Sequence, residues 1–194
     1  MRPAAFIDFQ GTLGGEGTGN IKSFKFYTFS IEAIKMLNSH NILDIGITNQ
    51  SHISKGIITM DDYNEKLKEL EDELALKDAY FNAVYCCPHS HADGCQCKKP
   101  LTGMVDTAMK DYEIDIKHSY VIGDMGMTDM ILAKNIGAKG ILVLTGVGKG
   151  SLNEYRHTWC ETEAAFIAEN ILDAVKWLIE DLKSQENNEI CLLR

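Results

Sequence analysis

The chain has 194 residues, of which 45% are hydrophobic and 24% charged, and it carries a net charge of −9. This length and composition fit one α/β domain over residues 1–194 with a substantial core. The negative charge argues against a general nucleic-acid or anionic-membrane surface, and no apolar stretch approaches the roughly 20 residues that span a bilayer. Six cysteines without a signal-peptide pattern indicate a reducing compartment. The sequence therefore predicts a cytoplasmic protein.

Apolar segments typical of strands alternate with amphipathic segments typical of helices, which predicts a parallel sheet covered by helices. The predicted strands span residues 4–8, 43–48, 79–86, 119–123 and 140–144. The predicted helices span residues 30–38, 60–77, 102–112, 127–136 and 171–184. The connections 11–29 and 87–100 are longer than simple turns, and long ordered loops often carry function. The glycine-rich segment 146–150 is interpreted as a flexible loop after the fifth strand.

Polar side chains follow four of the predicted strands at or just beyond the point where each strand ends. In chain order they are Asp8, then Thr48 and Asn49, then Lys98 and Lys99, then Asp124. Because the carboxyl ends of parallel strands share one edge of a sheet, we expect these residues to converge. Together they supply what phosphoryl transfer needs: a carboxylate nucleophile, groups that hold phosphoryl oxygens, and oxygen ligands for Mg²⁺.

The predicted roles follow from the residue types. Asp8 would attack phosphorus, and Asp8 with Asp124 would bind Mg²⁺. Thr48, the Asn49 backbone and Lys99 would hold the phosphoryl oxygens. Each residue alone has a plainer interpretation, such as a turn, a helix cap or a surface charge. Their ordered appearance at successive strand ends favours the shared site.

The same residues carry a resemblance to a known superfamily. The segment Asp8-Phe9-Gln10-Gly11-Thr12 resembles the first signature of the haloacid dehalogenase (HAD) superfamily, Asp-x-Asp-Gly-Thr, and the later motifs follow in order to about residue 144. The resemblance implies a doubly wound, Rossmann-like HAD fold and a phosphatase that forms an aspartyl phosphate on Asp8. It also implies that the backbone carbonyl of Gln10 is a further Mg²⁺ ligand, and that the substrate is a small phosphorylated metabolite.

The second long loop contains a candidate zinc site at Cys87, His89, Cys95 and Cys97. Three thiolates and one imidazole complete the tetrahedral set of a structural Zn²⁺, with no vacant position for catalysis. His91 is an alternative to His89. The plainer interpretation is a pair of buried cysteines beside a polar loop.

This loop narrows the resemblance to a branch of the superfamily. Cys-x-His, Cys-x-Cys-Lys-Lys-Pro and the segment 48–51, Thr-Asn-Gln-Ser, resemble the zinc-containing branch, subfamily IIIA, which includes heptose bisphosphate and histidinol-phosphate phosphatases. The resemblance implies that a large cap domain is absent and that the zinc loop, residues 87–97, brings Lys98 and Lys99 to a sugar or amino-alcohol phosphate. Lys98 stands where relatives often have Arg, so an ammonium replaces a planar guanidinium that can donate two parallel hydrogen bonds.

Gln10 departs from the family pattern, because relatives have an Asp there that protonates the leaving alcohol and then activates water. A neutral amide does not exchange protons usefully near pH 7. Since general acid–base catalysis contributes about 10²–10⁴-fold, the sequence predicts slow turnover, with Glu16 as a candidate replacement acid.

Two further functions remain open at this point: a protein that binds a phosphate ligand without turnover, and a hydrolytic dehalogenase. Dehalogenases of the fold also lack the second Asp, but the zinc loop and the two lysines argue against that activity.

The last motif of the superfamily corresponds to the segment from Gly123-Asp124 to Asp129. Relatives usually have the spacing Gly-Asp-x-x-x-Asp, and this chain is one residue longer. Asp129 is therefore either an acid that supports the site or an ordinary residue in the first turn of a helix.

Overall fold

A single sheet of six parallel strands forms the centre of the computed structural model, which describes residues 1–16 and 19–192. The strands are β1 Ala4–Ile7, β2 Leu43–Asn49, β3 Ala83–Cys87, β4 Tyr120–Gly123, β5 Lys139–Val143 and β6 Phe166–Ala168. Their order in the sheet is β3-β2-β1-β4-β5-β6. The strand order reverses direction at β1, which confirms the predicted doubly wound α/β fold and places the carboxyl end of β1 at the topological switch point.

Helices cover both faces of this sheet. They are α1 Ser30–Ser39, α2 Met60–Ala75, α3 Gly103–Asp111, α4 Ile131–Ile136, α5 Gly148–Leu152 and α6 Ile171–Leu192. Side chains alternate along β1, so Ala5 and Ile7 join the core under α1 and α6, while Ala4 and Phe6 join the core under α3 and α4. No helix in the described part of the chain is long and apolar enough to cross a membrane.

The main differences from the predicted elements lie at β3, at β6, in the segment 146–150 and in the helix predicted at 127–136. Strand β3 begins four residues later than predicted, because the backbone amide of Tyr80 donates to the side chain of Asn38 (3.0 Å) instead of a sheet neighbour. Strand β6 and helix α5 were not predicted, and the flexible loop expected at 146–150 is wrong, since most of that segment belongs to α5. The predicted helix 127–136 is interrupted: a turn of π-helix, Gly126–Met130, precedes α4.

Candidate active site

A cavity of about 310 Å³ lies at the carboxyl ends of the central strands. Its lining includes six of the predicted site residues, which come from four separate segments of the chain: Asp8, Gln10, Thr48, Asn49, Lys99 and Asp124. Sequence order at the strand ends therefore predicted which residues converge. Lys98 does not line this cavity; it lines a neighbouring one beside the zinc loop.

Lys99 is the centre of a buried ion-pair network. Its ammonium donates to Asp8 Oδ1 (2.6 Å) and to Asp129 Oδ1 (2.8 Å), and the residue is only 2% exposed. Burial opposes the charge of Lys99, but the two carboxylates outweigh this effect and raise its pKa above the ordinary value. Asn49 holds the Lys99 backbone on both sides, because its Oδ1 accepts from the Lys99 amide (3.0 Å) and its Nδ2 donates to the Lys99 carbonyl (3.3 Å).

The carboxylates of the cavity outnumber its buried cation. Burial raises the pKa of Asp8 to about 6, with Lys99 lowering the pKa and Asp129 raising it. Burial also raises the pKa of Asp124, and the charges of Asp8 and Asp129 raise it further. Three buried carboxylates, Asp8, Asp124 and Asp129, lie around one buried lysine that bonds to two of them, so buried acids outnumber the buried cation and the site has a set of oxygen donors. Such a donor set fits Mg²⁺, which prefers carboxylate oxygens and screens them against an incoming phosphate.

Two glycines make room for Asp124. The Asp124 Oδ2 atom accepts from the Val147 amide (2.8 Å). A Cβ on Gly11 or on Gly146 would collide with this oxygen, and both residues have positive φ angles, of 81° and 52°. The loops after β1 and β5 therefore pack directly on the carboxylate, at positions where only glycine fits without strain.

The π-helical turn brings Asp129 into the site despite the longer spacing of the last motif. Asp129 is 1% exposed, and its Oδ2 accepts from the Met125 amide (3.1 Å) while Oδ1 accepts from Lys99. Two contacts of Gly126 stabilise the π-helical turn. Its amide donates to Ser151 Oγ (2.6 Å), and the residue packs against the Trp159 ring. A π-turn absorbs one extra residue within a helix. Asp129 is thus part of the ion-pair network rather than an ordinary residue of the first turn.

The side chain of Gln10 is a buried polar group without a partner. Gln10 is 8% exposed, and both Nε2 and Oε1 have no hydrogen-bond partner among the described residues. Oε1 lies against Gly15, where a Cβ would collide with it. Leaving such a group unsatisfied costs about 1–3 kcal/mol, so Gln10 is a buried neutral side chain whose amide adds cost rather than stability to the folded state. Glu16 is exposed and is not among the described lining residues.

The four predicted zinc ligands come together in the loop after β3. Their ligand atoms all lie within 4.8 Å of one another. Cys87 Sγ is 3.6 Å from Cys95 Sγ and 3.0 Å from Cys97 Sγ, and His89 Nδ1 is 3.2 Å from Cys97 Sγ. Zinc–sulfur bonds of about 2.3 Å give a tetrahedron with edges of about 3.8 Å, so the cluster has a size that fits Zn²⁺. His91 is not part of the cluster.

Lys98 connects the zinc loop to the segment after β2. Its ammonium donates to Ser51 Oγ (2.5 Å) and to the His89 carbonyl (3.3 Å). Ser51 lines the active-site cavity, so Lys98 lies behind the lining rather than in it. Burial opposes ionisation of Cys95, but hydrogen bonds from the Lys98 backbone and from neighbouring thiols lower its pKa to about 7. This shift favours the thiolate, the form that binds metal.

Known proteins share both the sequence and the fold. Residues 96–174 match the family model described as HAD-hydrolase-like. The D-glycero-beta-D-manno-heptose-1,7-bisphosphate 7-phosphatase of Pasteurella multocida (strain Pm70) is 32% identical over 193 residues, which is 95% of this chain and 100% of that protein. The enzyme of the same name from Yersinia pestis is 35% identical over 74% of this chain and 81% of its own length.

A solved structure also superimposes over most of the chain. It is the D,D-heptose 1,7-bisphosphate phosphatase of B. bronchiseptica complexed with magnesium and phosphate, with a TM-score of 0.80 and 25% identity over 92% of this chain and 99% of that one. The parallel sheet and these matches define a HAD-type phosphoric monoester hydrolase, as the motifs predict. The chain belongs to the family of D-glycero-D-manno-heptose-1,7-bisphosphate 7-phosphatases within the HAD superfamily.

Proposed function

We propose that this chain is a Mg²⁺-dependent phosphatase that acts on a small phosphorylated sugar, a heptose bisphosphate or a similar compound, through an aspartyl phosphate on Asp8. The names of the relatives support the substrate class. One observation carries the assignment of the nucleophile: Asp8, 9% exposed, lines the cavity at the switch point of the sheet with the Lys99 ammonium 2.6 Å from its Oδ1. We also place this activity in the cytoplasm, the compartment that the cysteine usage predicts.

The first step is an in-line attack of an Asp8 oxygen on phosphorus. The new bond joins phosphorus to Asp8, and the bond to the sugar oxygen breaks. Lys99 has three N–H donors, and two of them already bond to Asp8 and Asp129, so the third remains for a phosphoryl oxygen. The Thr48 hydroxyl accepts from Gln50 Nε2 (2.9 Å), which leaves its own proton for a second oxygen. The backbone of Asn49 would bond to a third phosphoryl oxygen.

Metal ions complete the proposed site. Mg²⁺ held by Asp8, Asp124 and the backbone carbonyl of Gln10 would neutralise the charge of the cavity and of the incoming phosphate. Zn²⁺ held by the Cys/His cluster would fix residues 87–97. The loop in turn fixes the backbone that follows it, and so the position of Lys99 under Asp8.

The test is Mg²⁺-dependent release of phosphate from a panel of sugar and amino-alcohol phosphates that includes heptose 1,7-bisphosphate. We expect Asp8→Asn to lose at least about 10³-fold in rate, because no carboxylate remains to attack phosphorus. Asp61→Asn is the matched control, since it makes the same chemical change at an exposed acid. Equal rates for the wild type and Asp8→Asn would refute the assignment of the nucleophile.

A second candidate function is a protein that binds sugar phosphates without turning them over, and the presence of the neutral residue Gln10 in the lining of the cavity favours it. Such a protein would bind the same panel, as measured by calorimetry, and release no phosphate. A 2-haloacid assay alongside the panel covers hydrolytic dehalogenation, whose product is halide rather than phosphate.

A further inference from the structure

The active-site cavity has an acidic end and a wall without acids. The carboxylates of its described lining follow β1 and β4, whereas the turn after β2 contributes Ser51, His52 and Lys55. The reacting phosphate belongs at the acidic end, where the proposed Mg²⁺ binds. The turn after β2 is therefore available for another part of the substrate, and its charge suits an anionic one.

A buried cation lies behind this turn. Lys98 is 9% exposed, and its ammonium donates to Ser51 Oγ (2.5 Å) and to the His89 carbonyl (3.3 Å), both of them neutral. An ammonium has three N–H donors, so one of them has no acceptor within residues 1–16 and 19–192. A buried charge without a counter-ion is costly. An anion bound in the cavity beside Ser51 would lower that cost.

Lys98 also fixes the direction of the Ser51 hydroxyl. A hydroxyl has one proton to donate and two lone pairs that accept, and one lone pair of Ser51 accepts from Lys98. The proton therefore points away from the ammonium, and no described residue accepts it. Ser51 is half-buried and lines the cavity. Its hydroxyl is thus a free donor at the cavity wall, and the ammonium behind it strengthens a bond to a negatively charged oxygen.

The turn that carries Ser51 is anchored to the zinc loop. The amides of Gln50 and Ser54 donate to the carbonyls of Cys87 and Pro88 (2.7 and 3.1 Å). The contact of Lys98 with Ser51 adds a third connection between the two segments. The hydroxyl is therefore held in position before a substrate binds, which reduces the entropy lost on binding.

We propose that Ser51 binds the second phosphate of a sugar bisphosphate, and that Lys98 is the positioning residue that orients and polarises the Ser51 hydroxyl. The proposal rests on the proposed function and narrows its substrate class to sugars that carry a second phosphate. Ser51 lies three residues beyond Thr48, which would hold the reacting phosphate, so the chain between them spans at most about 11 Å. One sugar unit separates two phosphates by a distance of this order. Lys55, exposed in the same lining, adds positive charge at that end.

The experiment compares kcat/KM for sugars offered both as the bisphosphate and as the monophosphate that keeps the reacting phosphate, beginning with heptose 1,7-bisphosphate and heptose 7-phosphate. We expect the wild type to prefer the bisphosphate by about 10–100-fold, the contribution of one hydrogen bond to a charged group. The preference should lie in KM, with kcat nearly equal, because the second phosphate is bound alike before and during the reaction.

Two variants test the two residues. Ser51→Ala should lower the ratio of kcat/KM between bisphosphate and monophosphate by about 10-fold and leave the monophosphate unaffected. Lys98→Met should also lower the ratio, and the double variant should be no lower than Ser51→Ala, because Lys98 acts through the hydroxyl. Ser39→Ala and Lys68→Met are the matched controls at exposed positions outside the cavity, and both should keep the wild-type ratio.

If Lys98→Met does not fold, Ser51→Ala decides the matter, since it removes a single hydroxyl. A wild type that uses bisphosphate and monophosphate equally well would overturn the proposal and leave the proposed phosphatase function intact. A ratio that Ser51→Ala does not change would also overturn it. So would an equal loss on both substrates, because the hydroxyl would then bond to a group that both sugars carry. Failure of the proposed function looks different: no sugar phosphate yields phosphate, and Asp8→Asn behaves as the wild type does.

Discussion

Replacing Lys99 with methionine removes the cation shared by two buried carboxylates. Lys99 is 2% exposed, with Asp8 Oδ1 at 2.6 Å and Asp129 Oδ1 at 2.8 Å from its ammonium. Methionine fills a similar volume without the charge. Removing one partner of a buried ion pair costs about 3–5 kcal/mol, because the remaining charges lose their compensation. We therefore expect the free energy of unfolding of Lys99→Met to fall by about that amount.

Lys98→Met is the matched control, since the neighbouring lysine is also buried, but within residues 1–16 and 19–192 its ammonium donates only to the neutral acceptors Ser51 Oγ and the His89 carbonyl. No carboxylate loses a partner in this variant, so we expect a loss of about 1–2 kcal/mol. The assay is urea unfolding followed by circular dichroism in Mg²⁺-free buffer, with zinc retained. Equal losses for the two variants would refute the ion-pair account.

A double-mutant cycle isolates the contact between Lys99 and Asp129. In an Asp129→Asn background, the negative charge of one partner of Lys99 is already gone, so Lys99→Met should cost about 1.5–3 kcal/mol less than it does in the wild type. Strict additivity of the two substitutions would contradict the contact, and with it the role of the π-helical turn in bringing Asp129 to the site.

Three further predictions concern zinc, a buried acid and the π-turn. Cys95→Ser should lower the zinc content below the one ion per chain that the proposed site predicts, and it should speed proteolysis within residues 87–97, as elemental analysis and limited digestion measure; unchanged zinc would contradict the site. Burial raises the pKa of Asp44, whose carboxylate oxygens have no hydrogen-bond partner in the part of the chain that the structure describes. The native state therefore binds more protons than the unfolded state, so the free energy of unfolding of the wild type should fall above about pH 4 more steeply than that of Asp44→Asn. Urea unfolding of both proteins at pH 4, 6 and 8 measures this, and an equal change with pH in the two proteins would refute it. Gly126→Ala drives a Cβ into the Trp159 ring and should cost about 1–3 kcal/mol in thermal unfolding, whereas Gly150→Ala, with ordinary contacts, should not; equal losses would count against the packing.

The residues whose convergence the sequence predicts are those fixed by strand position. Asp8 follows β1, and Thr48 is the second-last residue of β2, so the parallel sheet alone brings them to one edge. The Cys87-to-Cys97 spacing likewise predicts the metal cluster, because the ligands lie within one short loop. Local pattern and sheet topology were sufficient in both cases.

The remaining features depend on contacts between distant parts of the chain. The π-turn that places Asp129 is held by Ser151 and Trp159, which lie more than twenty residues away in sequence. Helix α5 begins at Gly148, a poor helix former, in a place where a Cβ would collide with the Val143 carbonyl. Strand β6 has three residues, too few for an alternating pattern to appear. The direction of the Lys98 ammonium also depends on a distant partner, Ser51.

The most direct test of the account is to locate the phosphoryl group on the chain. Wild-type protein is mixed with acetyl phosphate and Mg²⁺, quenched in acid within one turnover, digested, and analysed by mass spectrometry. We expect a single phosphorylated peptide that contains residues 4–8, with the adduct on Asp8, and none in Asp8→Asn. A phosphoryl group on any other residue, or release of phosphate by Asp8→Asn at the wild-type rate, would contradict the central claim that Asp8 is the nucleophile.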